Sequence, residues 1–230
     1  MFPKLSVLFF LGLMWFHSLW VISSSADMGT HHHPASPRSI EKIEYSEWNH
    51  QKAGMIIVML GFIGLLMEVS SKLFPQFRSI HWLWPGAWIV FGVFLFIRND
   101  PDNWPWGHIG FVETMLDPET GQHKLFNIFV VAIGMVEGWR IKNPERRPWT
   151  KLVFPGLVFV SAIILALHSQ IHVATTAVYW HHMSLAGLGV VIATGKYARD
   201  RGALGGWAGA LLWPTFLILA GLQLQFYDER

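Results

Sequence analysis

Six stretches of about twenty apolar residues follow one another after residue 45, at roughly 51–71, 80–98, 124–142, 151–168, 177–196 and 206–226. Each is long enough to cross a hydrocarbon core of roughly 30 Å as an α-helix. A backbone in lipid must satisfy its own hydrogen bonds, which a helix does within itself. The chain therefore reads as all-α, a polytopic membrane helix bundle with six transmembrane helices behind an N-terminal signal peptide or anchor. Its 13 tryptophans and 17 phenylalanines agree, because a soluble domain of this length carries far fewer. Pro85, Pro155 and Pro214 fall inside the runs, a placement that membrane helices tolerate when neighbouring groups satisfy the freed carbonyls.

Ahead of the runs, Lys4 is followed by apolar sequence from Leu5 to Ile22 and then by SSSA. That is the layout of a secretory signal with a small-residue cleavage site. The run is long for a signal and contains His17, so an uncleaved anchor is the alternative. Either way the residues after Ala26 emerge outside the cytoplasm. Three regions result: 1–26, signal peptide or anchor; 27–45, a polar segment with the histidine run 31–33; and 46–230, the membrane domain.

Lysine and arginine in short loops set orientation. With the N-terminus outside, the inner loops hold Lys72 and Arg78, then Arg140, Lys142, Arg146, Arg147 and Lys151, then Lys196, Arg199 and Arg201. The outer loop from Asn99 to Gln122 and the turn SQIHVATTAVY hold none. All three inner loops agree. Trp48, Trp82, Trp84, Trp139, Trp149 and Trp180 fall near span ends, where an interfacial aromatic belt is expected.

Orientation sorts the histidines. His50 and His123 open the first and third spans on the outer side, and His168 closes the fourth there with His172 just beyond. His181 and His182 open the fifth, also outside, and His108 lies in the long outer loop. Only His81 falls at an inner end. Ionisable groups within a membrane are costly unless they function or pair, and imidazole is the commonest nitrogen ligand of metals. With no cysteine in the chain, thiolate sites and disulfides are excluded. A shared site built from His50, His123, His168, His172 and His182 is the expectation, with His181, Met183 and His108 as further possible ligands. Copper suits a histidine set with methionine at hand, and zinc would accept the same ligands. Read one at a time, each of these histidines is more simply an interfacial residue bonded to water or lipid headgroups. Nothing combines basic runs with interleaved aromatics, so nucleic acid is not implied as a partner.

Glu47 and Asn49 stand where they would orient the His50 ring, although helix capping by Ser46 or Asn49 fits the same stretch. Glu68 and Glu137 lie towards inner span ends and are expected to pair with Lys72 and Arg140. Met55, Met59 and Met135 read as apolar packing. Gly187, Gly189, Gly205, Gly206 and Gly209 read as sites of close helix approach.

At SEWNHQKAG (46–54), DPDNWPWGHIGFVETMLDPETGQHKLF (100–126), LHSQIH (167–172) and HMSLAGLG (182–189) the chain resembles the membrane domain of copper-resistance protein D. The resemblance extends from Tyr45 to the end as spaced short motifs. It implies copper handling at a bacterial inner membrane, with functional histidines at His50, His123, His168 and His182. Where the family has a tighter His-Ser-His, this chain has HSQIH, so the resemblance leaves His168 and His172 as alternatives.

The function expected from these readings is non-enzymatic. Copper is received by the histidine cluster on the periplasmic side and is transferred or transported, with a periplasmic copper-binding protein or a larger membrane complex as partner. Two alternatives remain: a haem b electron-transfer subunit with two of the histidines as axial ligands, and an accessory structural subunit of a membrane complex.

Overall fold

Every one of the six apolar runs forms a helix. The computed structural model describes residues 40–73, 81–98, 101–143, 148–171 and 176–228; at 41, 42, 118, 119, 168–171 and 176 it describes the backbone alone. The long helices are α1 (Ile40–Leu73), α2 (Leu83–Arg98), α4 (Pro118–Lys142), α5 (Val153–Ile171), α6 (Thr176–Asp200) and α7 (Gly206–Gln225). A short helix, α3 (Phe111–Leu116), lies in the loop between α2 and α4, and a 3₁₀ turn, Pro148–Leu152, leads into α5. No strand occurs among the described residues.

Local chemistry explains the boundaries. Asp117 caps α4 by accepting a hydrogen bond from the Thr120 amide at 2.7 Å, with Pro118 in the first turn, the position whose N–H has no helical partner anyway. Gly202 ends α6 at φ +73° and Gly206 starts α7 at φ +65°, a left-handed backbone that glycine adopts without cost. Because α1 begins at Ile40, more than a turn ahead of the apolar run, neither Ser46 nor Asn49 caps it. The run of polar sequence expected to extend to Tyr45 thus ends in helix. The signal or anchor, the 31–33 histidine run and His172 lie outside the described residues.

Each long helix packs on two others, in the cyclic order α1, α2, α4, α5, α6, α7 and back to α1, so the six close into a ring. The tightest seam joins α1 to α7. A Cβ on Gly54 would sit 2.6 Å from the Gly221 carbonyl oxygen, and one on Gly221 2.6 Å from the Val58 nitrogen. Gly92 and Gly134 do the same between α2 and α4, where a Cβ would come within 3.0 Å and 2.8 Å of the Asn127 and Pro85 carbonyls. Of the glycines expected to mediate close approach, Gly189 does, with a Cβ position 3.1 Å from that of Ala162. Gly205 and Gly206 do not: they stand in the turn before α7 with open space around them.

Inside the ring, Trp84, Trp88, Phe154 and Trp213 form an aromatic layer. Trp84 lies edge-on to Trp88 and Trp213 at 5.3 and 5.2 Å, and Phe154 is edge-on to Trp88 at 5.6 Å, the arrangement that aromatic quadrupoles favour. Trp84 is therefore a core residue with no exposed surface and not part of an interfacial belt, whereas Trp82 and Trp149 are half exposed.

Three helical segments are long and apolar enough to cross a membrane, Ile43–Leu73, Pro148–Leu167 and Gly206–Gln225, and Leu83–Arg98 is a shorter apolar helix. These are the helices of a membrane protein. Several charged or polar residues of α4 and α6 turn inward: Lys124, Glu137, His182 and Lys196 are all buried.

Candidate functional site: a histidine-walled cavity

The N-terminal parts of α1, α4 and α6 and the C-terminal end of α7 meet at one end of the ring. This end carries His50, His123, His181, His182 and Tyr227. The His50 and His123 rings meet edge to face with centroids 6.0 Å apart. Tyr227, just past α7, stacks on His50 at 3.9 Å and lies nearly parallel to His182 at 6.3 Å, with His181 tilted against it at 5.3 Å. Buried Tyr227 is thus the hub of the cluster.

His50 is held by its own helix. Its Nδ1 lies 2.8 Å from the Ser46 carbonyl oxygen one turn earlier. An imidazole anchored through Nδ1 to a backbone carbonyl has its ring orientation fixed, as is common for metal-binding histidines. The Ser46 carbonyl thus orients the ring, beside Glu47 and Asn49, which were expected in that role. The Asn49 amide reaches the Arg98 carbonyl at 3.4 Å, alongside the Tyr45 hydroxyl at 2.9 Å. These two bonds tie α1 to the end of α2.

His50, His123 and His182 line one cavity of about 990 Å³ inside the ring. Its mouth carries Arg98, Asp102, Glu113 and Asp117, and its floor is apolar, with Phe91, Val130, Val158 and Ala162. One helical turn below Phe91 the aromatic layer begins with Trp88.

The loop over the mouth is built rather than draped. Asn103 donates to Thr120 Oγ1 at 3.2 Å and accepts from the Thr114 hydroxyl at 3.2 Å, and all three side chains are buried. Gly107 is required here, because a Cβ would fall 1.9 Å from the Asp102 carbonyl. Lys124, fully buried beside His123, donates to the Phe96 carbonyl at 2.7 Å and the Trp104 carbonyl at 2.8 Å. It thereby satisfies a carbonyl in the last turn of α2, where a cation also suits the helix dipole.

Among the expected site residues, His50, His123 and His182 share the cavity and His181 joins them through Tyr227. His108 is exposed on the loop, and Met183 is half-buried on α6. His168 is placed on α5, but its side chain lies outside the described residues. Among the described residues no three histidine, aspartate or glutamate side chains are gathered closely enough to hold a metal ion.

The opposite end of the ring carries a charge network. Glu68 is buried and accepts from Arg199 Nη2 at 2.9 Å and from the Trp213 indole at 3.2 Å. Lys72, its expected partner, instead donates to the Gly206 carbonyl and lies 4.6 Å over the Trp207 ring. Glu137 does pair with Arg140, which also reaches Asp200 at 3.1 Å; Asp200 in turn holds Lys196 at 2.7 Å.

No protein-family model matches the chain, and no match is found among curated proteins or solved structures. These comparisons lend no support to the copper-resistance protein D resemblance, so the site is read on its own chemistry.

Proposed function

We propose that the protein crosses a bacterial inner membrane six times and that its histidine end binds copper arriving from the periplasmic side. The observation that carries the reading is the pair of His50 and His123 rings, brought from two helices to 6.0 Å within one cavity. Metal–imidazole bonds of about 2 Å put two ligating ring centres roughly 5–6 Å apart, the wider value for a near-linear pair. Imidazole suits copper. Zinc takes four ligands, whereas two converging rings, with His182 further along the wall, suit an ion of low coordination number. Asp102, Glu113 and Asp117 at the mouth favour entry of a cation.

Six spans are supported by the outside of the ring. Met55, Met59, Phe62 and Leu66 form an exposed apolar stripe on α1 at helical spacing. Val90, Val93 and Phe94 on α2, Ile128 and Met135 on α4, and Phe159 and Ile163 on α5 are also exposed. Large exposed apolar surfaces of this kind face lipid or a partner. The aromatic layer below the cavity favours capture and hand-over at the outer side, to a periplasmic copper-binding protein or a neighbouring subunit, over passage through the ring.

Copper titrated against a chelator into purified protein in detergent tests the reading. One bound equivalent is expected, lost in His50→Ala and in His123→Ala. Undiminished binding in both variants overturns it, and a Soret band in the purified protein assigns the histidines to haem instead.

A further inference from the structure

The cavity continues below its histidines, and two polar side chains there have nothing to do. Asn127, on α4 one turn beyond His123, lines the cavity and keeps only 5% of its surface exposed. Its amide makes no hydrogen bond among the described residues. Ser161, on α5, lines the same cavity, and its hydroxyl likewise makes none. The Asn127 amide opens onto the cavity and not into packed protein, and a hydroxyl in a membrane helix ordinarily bonds back to its own backbone. Two such groups on facing helices of one cavity mark a binding position for a ligand that hydrogen-bonds both.

The lining fixes the ligand's character. Every charged residue of the cavity, Arg98, Asp102, Glu113 and Asp117, belongs to the mouth. Around Asn127 and Ser161 the walls are apolar, and Phe91 and Phe126 offer flat faces. The ligand is therefore neutral, with an apolar, planar body and oxygen atoms at its edge. An amide and a hydroxyl each donate and accept, so carbonyl and hydroxyl oxygens are both served. The volume, about 990 Å³, is at the upper end for small-molecule sites, roughly 300–1,000 Å³. Helices α4 and α5 are the least closely packed neighbours in the ring, which makes the gap between them the natural lateral route for a ligand. A ligand dissolved in the bilayer would enter there.

We infer that the lower part of the cavity binds the ring of a lipid-soluble quinone or quinol, with its two oxygens held by Asn127 and Ser161. The site is independent of the ion at the histidines. Its chemistry is hydrogen bonding and ring stacking alone.

The test is calorimetric titration of the purified full chain in detergent with decylubiquinone, and with decylbenzene as a ring lacking both oxygens. Wild type should bind decylubiquinone saturably at one per chain and decylbenzene at least tenfold more weakly. Asn127→Leu should weaken quinone binding at least tenfold, and the smaller change Ser161→Ala several-fold. His50→Ala should leave it unchanged while removing copper binding, which separates the two sites. Unfolding temperature and a monodisperse gel-filtration peak in detergent check that Asn127→Leu and Ser161→Ala remain folded. Absence of quinone binding by wild type overturns the inference. So does equal binding of decylbenzene, which would make the space an apolar crevice, and so does undiminished binding by folded Asn127→Leu.

Discussion

The rings of His50 and Tyr227 lie face to face, 3.9 Å between centroids and 21° from parallel. The first long helix thus meets the residue that follows the last one, at the wall of the cavity. Stacking together with the Ser46 carbonyl holds the imidazole at one face and one nitrogen. Tyr227→Ala should lower copper affinity by about 10–100-fold, as removal of an orienting partner does, and Tyr227→Phe should retain it because the ring is what touches His50. Chelator competition on both variants measures the difference; a loss in Tyr227→Phe equal to that in Tyr227→Ala would move the role from the ring to the hydroxyl.

Protons and metal compete for imidazole nitrogen, and free imidazole titrates near about 6.5. Copper affinity should hold above neutral pH and fall as pH drops through that region. His182→Ala, further along the wall, should cost less than His50→Ala or His123→Ala, and His81→Ala, beside the start of α2, nothing. Titrations of all four variants at pH 7.5 and 5.5 are the measurement.

Glu68 receives Arg199 and the Trp213 indole from two other helices. Glu68→Gln leaves the guanidinium without its counter-charge. A broken buried pair costs about 3–5 kcal/mol, and the lower end applies because the Arg199 side chain is 31% exposed. A lower unfolding temperature in detergent with copper binding unchanged is the expected result. A loss of copper binding in a folded variant would tie this network to the site at the far end of the ring.

The proposed six crossings would place Lys142 and Asp228 on opposite sides of the membrane. Reporter fusions at these positions should give opposite signals, and matching signals would remove one crossing and with it the shared outer side of the histidines.

The ring's helices were legible because each apolar run had to form a helix to satisfy its backbone in lipid. That His50, His123 and His182 share one cavity was legible from the loop charges, which assign those helix ends to one side. Their gathering around a single ion is not what the described residues show. Tyr227 was not, since an aromatic residue after the final apolar run looks like any tail residue until α7 is docked on α1. Lys124 was missed because its partners are backbone carbonyls, which leave no trace in a side-chain pattern. The pairing of Glu68 failed differently. Lys72 is four residues on and so the local choice, but Arg199 arrives through tertiary packing across a sequence distance that spacing rules do not reach.

The glycine seam between α1 and α7 has a consequence for how the protein is made. Helix α1 is synthesised first of the six and α7 last, so during insertion α1 waits in the bilayer with Gly54 and its neighbouring face uncovered. Until α7 arrives the five earlier helices form an open arc, and His50 lacks the ring that steadies it. The histidine end is therefore completed by the last helix to be made, and a chain stalled before α7 would leave the Gly54 face of α1 uncovered.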